Sequence, residues 1–287
     1  MSTKYRPRRS VLYMPGSNAR ALDKGRGLPA DGLILDLEDA VAPDAKETAR
    51  KQIVDAVKAG GYGHRELLIR TNGLNTPWGY DDLVAVAGCA GADAVLLPKV
   101  DSADMVRQAE SILEAHGAPK GLQIWCMMET PRGMLRAEEI ADSSARLGGF
   151  VMGTSDLSKD LHAQHTAMRL PMITSLGLCL LAARAAGIAI LDGVFLDLSD
   201  DEGCAASCVQ GAELGFDGKT LIHPKQLAPA NEAFAPSDEE VAFSRRIIEA
   251  HAQAEAQGKG VLVLDGKLIE NLHVENAKRL VAMAEAI

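Results

Sequence analysis

Short apolar runs alternate along the chain with longer stretches whose apolar residues return every three or four positions. The runs fall at residues 10–14, 32–37, 67–70, 94–97, 122–128, 149–152, 188–196 and 218–222. Near-continuous apolar character in short runs is what a strand covered on both faces requires. Most of the intervening stretches, 45–59, 81–90, 103–116, 135–147, 172–186 and 201–214, have helical spacing. Ile53, Val54, Ala56 and Val57 gather on one side of such a helix, as do Met105, Ala109, Ile112 and Leu113. Eight strands with helical crossovers predict an α/β fold, a closed (β/α)8 TIM barrel. The competing doubly wound sheet lacks its G-x-G-x-x-G after the first strand.

The barrel is expected to take residues 1–235, with a C-terminal helical and hairpin extension over 236–287. Ser237 is a good N-cap, and Asp238, Glu239 and Glu240 fill the first turn of a helix running to about residue 257. Gly258-Lys259-Gly260 should break it. Residues 261–264 and 267–269 around Asp265-Gly266 read as a hairpin, and a last amphipathic helix covers 274–287. So small an appendage has little core of its own and is expected to pack on its barrel or on a neighbouring subunit.

The ends of the predicted strands are where the chemistry collects. They carry Pro15-Gly16-Ser17, Asp36-Leu37-Glu38-Asp39, Arg70-Thr71-Asn72-Gly73, Pro98-Lys99, Glu129-Thr130, Thr154-Ser155-Asp156, Asp192 with Asp197, and Ile222-His223-Pro224. Functional side chains of a barrel gather at its carboxyl face. Glu129 and Asp156 end consecutive strands, so parallel neighbours would aim both carboxylates into one opening. Two hard oxygen donors on rigid elements, with room for water and substrate, suit a magnesium ion. Two unrelated acids beside loops would give the same spacing, and the local sequence leaves both readings open.

Charge and composition narrow the partners. The net charge is −9, with no basic stripe, which argues against nucleic acid. No run reaches 18 apolar residues, so no membrane span is expected. The five cysteines are odd in number and scattered, consistent with reduced thiols and a cytoplasmic setting. Cys204 and Cys208 share a helix face without other ligands to complete a zinc site, and His162 and His165 read as a polar loop.

The motifs SVLYMPGSN, LILDLEDAVAPDAKETAR, LLIRTNGL, VLLPKV, METPRG, GTSDL and the late IHP occur in one order from residue 10 to residue 224. Together they resemble the citrate lyase beta-subunit-like (HpcH/HpaI aldolase/citrate lyase) family, which includes malyl-CoA lyases and thioesterases. The resemblance implies a (β/α)8 barrel, a homotrimer or dimer of trimers, a CoA thioester substrate and Mg2+, with Mn2+ as an alternative. By motif, Glu129 and Asp156 would hold the metal. Arg70 would bind the keto-acid half, and Tyr13, Lys24, Ser155, Ile222 and His223 would touch CoA. Many relatives have Arg where Asn18 stands, so one phosphate contact is expected to be missing or moved. Glu38 and Asp39 would act behind the metal, orienting its water or Lys99. A C-terminal acid that enters a neighbouring active site is usually Asp; here Glu270 stands in its place. The activities implied are reversible cleavage of malyl-CoA-type esters to acetyl-CoA or propionyl-CoA plus glyoxylate, hydrolysis of (3S)-malyl-CoA to malate and CoA, or a citrate-lyase beta chain working in a complex. The Glu270 departure leans toward hydrolysis.

Overall fold

Strands buried on both faces must be covered by helices outside and packed side chains inside, and this chain meets both demands by closing its sheet. The computed structural model describes residues 5–256 and 262–287. Its strands are β1 (Ser10–Pro15), β2 (Gly32–Asp36), β3 (Glu66–Arg70), β4 (Ala94–Leu97), β5 (Gln123–Met128), β6 (Leu147–Met152), β7 (Ala189–Asp192) and β8 (Gly218–Leu221). Each pairs in parallel with the next, and β8 returns to β1 to close the barrel.

Val11, Ile34, Leu68, Ala94, Leu96, Trp125, Met127, Val151 and Leu191 form one buried cluster. These residues alternate along their strands, so they are the faces that fill the lumen. Trp125 is its largest member. A Cβ on Gly149 would lie 2.7 Å from the Trp125 ring, so the paired strand has to carry glycine there.

The helical layer comprises α1 (Ala19–Gly25), α2 (Lys46–Ala59), α3 (Gly79–Ala87), α4 (Ala103–Ala115), α5 (Pro131–Leu135), α6 (Ala137–Ala141), α7 (Thr154–Asp160), α8 (Ile173–Ala186), α9 (Asp201–Leu214) and α10 (Leu227–Ala233). Asp200 caps α9 by accepting from the Gly203 N–H, and Gly215 ends it at φ 98°.

Two expected elements change. The single helix over 135–147 is replaced by the short α5 and α6. Thr130 accepts from the Gly133 N–H and Pro131 takes the first position, so helix begins directly after β5. Leu147 then belongs to β6. The strand over 188–196 stops at Asp192, where pairing with β6 and β8 runs out and the Gly193 N–H turns to Asp192 Oδ1.

The N-terminal face of the barrel is tied by partly buried ion pairs. Arg9 holds Asp31 through Nε, Nη2 and its backbone N–H, each at 2.8 Å, and Arg8 holds Glu66 at 2.5 and 2.9 Å. Asp192 is likewise committed: Lys219 Nζ reaches it at 2.7 Å and Arg169 Nη1 at 2.6 Å, all within the packed layer.

Residues Arg8–Ala233 form one compact unit; a second contains Phe234–Ile287. Within the second, α11 (Asp238–Ala256) and α12 (Asn271–Ala286) pack through Ile247, Val274 and Ala277, and Ile269 of the hairpin joins the same cluster. β9 (Leu262–Leu264) and β10 (Lys267–Ile269) make the expected antiparallel hairpin, with Asp265 and Gly266 both at positive φ. The last helix starts at Asn271, ahead of the expected residue 274, because the Glu270 N–H is bonded by His273 Nδ1 in its first turn. The expected break at Gly258-Lys259-Gly260 and the first hairpin residue, Val261, lie outside the described residues. No helix among the described residues is long and apolar enough to cross a membrane. All five cysteines are free and buried, and no group of three or more potential metal-binding His, Cys, Asp or Glu residues occurs among the described residues.

Candidate active site

Parallel register places the end of β2 beside the end of β3, with Asp36 directly opposite Arg70. The guanidinium grips Asp36 with two bonds, Nε to Oδ1 at 2.6 Å and Nη2 to Oδ2 at 2.7 Å. Its third nitrogen, Nη1, stands 2.8 Å from Glu38 Oε2, close enough for an ion pair but out of line for a hydrogen bond. The cation also lies 5.0 Å from the centre of the Tyr13 ring. Burial opposes the Arg70 charge, but the surrounding anionic groups outweigh it and hold Arg70 protonated.

Beyond β2 the chain is pinned by Lys46, whose Nζ donates to the carbonyls of Leu37 and Glu38 at 2.8 Å each. The two neighbouring acids then part company. Glu38 is buried, while the side chain of Asp39 is 62 % exposed, 3.6 Å from Arg70 and 4.0 Å from Lys99. Burial raises the Glu38 carboxyl, against the pull of Arg70 and Lys99.

Lys99 follows β4 at φ 49°, a conformation that a side-chain-bearing residue adopts only at a cost. That geometry lets one residue serve three acids. Its backbone N–H donates to Glu129 Oε1 at 2.7 Å, its Nζ meets Glu38 Oε1 at 2.5 Å, and the same Nζ lies 3.4 Å from Asp156 Oδ2. Burial works against the Lys99 charge, but the hydrogen bond and charge of Glu38 prevail and raise its pKa.

Glu129 is 2 % exposed, and burial pushes its carboxyl up to about 7 despite the opposing pull of Lys99. A Cβ on Gly153 would fall 2.4 Å from Glu129 Oε2, so the glycine makes room for that oxygen. Asp156 sits in the first turn of α7, a helix that the sequence pattern did not predict after the sixth strand. Burial would raise its carboxyl, but Lys159 at 3.1 Å and Lys99 bring it below the usual range.

These groups open on one cavity of about 370 Å³, lined by Tyr13, Asp36, Asp39, Arg70, Glu129, Ser155 and Asp156. Met127, Met152, Val194, Leu196 and Ile222 supply its apolar wall. The structure therefore brings together Tyr13, Arg70, Asp39, Glu129, Ser155, Asp156 and Ile222, with Glu38 behind them. Lys24 and His223 are exposed and do not line this cavity; His223 Nδ1 accepts from the Lys225 N–H. Asn18 caps α1 by accepting from the Ala21 N–H. Glu270 is exposed and belongs to the C-terminal unit.

Sequence reasoning placed Asp36 and Lys99 at strand ends but gave neither a role of its own. The signal for Lys99 was its place directly after a strand; that for Asp36 was its opposition to Arg70, which only the register supplies. Nor did it pair Ser158 with His165, 2.8 Å apart. The Ser158 hydroxyl donates to the Ser155 carbonyl at 2.9 Å, and Ser158 does not line the cavity. This fits the reading of His165 as a loop residue.

A closed barrel with an acid-rich cavity at the carboxyl ends of its strands defines the class: a TIM-barrel protein with an enzyme-like site. The chain belongs to the HpcH/HpaI aldolase/citrate lyase family, whose signature matches residues 9–224. It is 50 % identical over 287 residues to a (3S)-malyl-CoA thioesterase of Cereibacter sphaeroides, covering 100 % of this chain and 98 % of that protein. An L-malyl-CoA/beta-methylmalyl-CoA lyase of Cereibacter sphaeroides is 36 % identical, covering 98 % of this chain and 96 % of that protein. Among solved structures, protein CitE from Mycobacterium tuberculosis in complex with magnesium, acetoacetate and coenzyme A superposes with a TM-score of 0.76. It is 29 % identical and covers 96 % of this chain and 97 % of that one.

Proposed function

We propose that the chain is a magnesium-dependent thioesterase that hydrolyses (3S)-malyl-CoA to malate and CoA. The observation that carries this is the full-length likeness at 50 % identity to a (3S)-malyl-CoA thioesterase, against 36 % to a malyl-CoA lyase. It favours hydrolysis over the carbon–carbon cleavage that the motifs alone placed first.

The donor set fits a magnesium ion. Glu129 and Asp156 offer hard carboxylate oxygens on one cavity, and Gly153 leaves Glu129 Oε2 the space to face it. These two residues would hold the ion; when bound, it would polarise substrate oxygen and neutralise developing negative charge. Arg70 lends positive charge at the same cavity, while Asp36 and Glu38 fix where its guanidinium points. The apolar wall from Met127 to Ile222 offers the carbon chain of the substrate a surface to pack on. In the reaction, water oxygen bonds to the thioester carbon, the C–S bond breaks, one proton of the water ends on the departing sulfur and the other is released as the product carboxyl ionises. Asp36 is committed to Arg70, and Glu129 and Asp156 to the ion. We assign Asp39, exposed on the cavity, to receive the proton from the attacking water.

The purified chain should be incubated with malyl-CoA and MgCl2, and malate, glyoxylate and free CoA measured. Equimolar malate and CoA without glyoxylate is the expected outcome. Glyoxylate with acetyl-CoA would overturn the hydrolase reading in favour of the lyase.

A further inference from the structure

The Lys99 ammonium has more acids around it than it can serve once a metal arrives. It lies 2.5 Å from Glu38, 3.4 Å from Asp156 and 4.0 Å from Asp39. We infer that Lys99 competes with the divalent cation for Asp156 and thereby sets how tightly the site holds that cation. This rests on the reading of Glu129 and Asp156 as the metal-holding pair.

Three features of the geometry support the assignment. First, a cation bound to Asp156 Oδ2 would stand within a few ångströms of the ammonium, where like charges repel strongly even in a high-dielectric setting. Second, the ammonium has somewhere to go. Lys99 lines not the substrate cavity but a neighbouring polar cleft of about 670 Å³, together with Glu38, Lys46, Asn72, Asp101 and Gln108. It can leave Asp156 and keep Glu38. Third, the contact from Lys99 to Glu129 runs through the backbone N–H, so it does not depend on the side chain. The residue thus separates two tasks: its main chain positions one carboxylate, and its side chain contests the other. Lys99 is on this account a positioning residue, tuning affinity without touching the reacting atoms.

The sign of the effect makes the inference testable. Removing a lysine that merely supported the site would weaken metal binding or leave it alone; removing a competitor strengthens it. Protein stripped with EDTA and desalted should be titrated with MgCl2 by calorimetry, using wild type, Lys99→Met and Lys99→Arg. Lys99→Met should bind Mg2+ roughly tenfold more tightly at low ionic strength, with the gain shrinking in added salt. Lys99→Arg, which keeps the charge, should stay within about twofold of wild type by the same reasoning. Should Lys99→Met fail to fold by circular dichroism, Lys99→Gln carries the same prediction. Wild type that binds Mg2+ while the neutral variants bind it equally or more weakly overturns this inference alone. Wild type that takes up no Mg2+, or Glu129→Gln protein that binds it as well as wild type does, overturns the metal reading and this inference with it.

Discussion

The two rims of the barrel use the same residue types to opposite ends. At the amino-terminal rim Asp31 faces Arg9 and Glu66 faces Arg8. At the carboxyl rim Asp36, Glu38, Asp39, Glu129 and Asp156 crowd around Arg70 and Lys99, with Lys159 reaching Asp156 from outside. Balanced, buried pairs are a means of closing a barrel, since each desolvated charge meets its opposite at hydrogen-bond distance. An excess of carboxylate is not. Burial, with a smaller push from Glu38, raises the Glu129 carboxyl to about 7, and the surplus of carboxylate makes the rim a place that gains by acquiring a cation. The difference teaches that a charged residue in this fold is read by its local balance of charge, and that the unbalanced rim is the one that does chemistry.

The comparison can be broken most directly at the unbalanced rim. Glu129→Gln and Asp156→Asn each remove a carboxylate charge with little change of volume, and on the proposed metal-holding role each should lower turnover by about a thousandfold or more. Melting curves should show both variants folded; a variant that keeps wild-type turnover would remove that acid from the site. Glu129 also gives a pH test. Its folded pKa lies above the ordinary 4.5, so the stability it lends is fully present below about 4.5 and is lost as pH rises through about 7. The metal-free wild type should lose about 3 kcal/mol from this group over that window, and Glu129→Gln should not. A constant gap in melting temperature between the two from pH 5 to pH 8 would contradict it.

The balanced rim should respond the other way. Asp31→Asn leaves the partly buried Arg9 without its counter-charge and should cost about 3 kcal/mol of stability. At a temperature where the variant remains folded, kcat should match wild type. A hundredfold loss of kcat in folded protein would show that this rim, too, serves the site.

The smallest effect is expected from the C-terminal unit. If Glu270 serves the active site of a neighbouring copy, Glu270→Asp, about 1.5 Å shorter in reach, should shift products from malate toward glyoxylate without abolishing turnover. Glu270→Ala should lower both products. An unchanged ratio and rate in both variants would make Glu270 a surface acid, and the charge balance of the barrel rim would then be sufficient by itself.

The strand pattern was legible because burial on both faces is a local demand, written as unbroken apolar residues. The helix over 135–147 misled because its spacing could not reveal that Thr130 and Pro131 start a helix at once after β5, or that Leu147 has a partner in β5. The helix that carries Asp156 was not expected, because α7 is too short to show a period.

Of the site, Glu129, Asp156, Arg70 and Tyr13 could be named from strand ends and motifs, since residues at the carboxyl ends of parallel strands must face one opening. Which acid meets which cation could not. Asp36, Glu38 and Asp39 are near neighbours in sequence, yet Arg70 clamps the first, Lys99 binds the second, and the third stays exposed. Lys99 and Glu38 are separated by 61 positions and Arg70 and Asp36 by 34. Sequence determined the elements and the polar groups they would carry, because those follow from local periodicity. The tertiary structure decided the pairing, because only barrel closure sets the register and the backbone twist at Lys99 that put one cation among three acids.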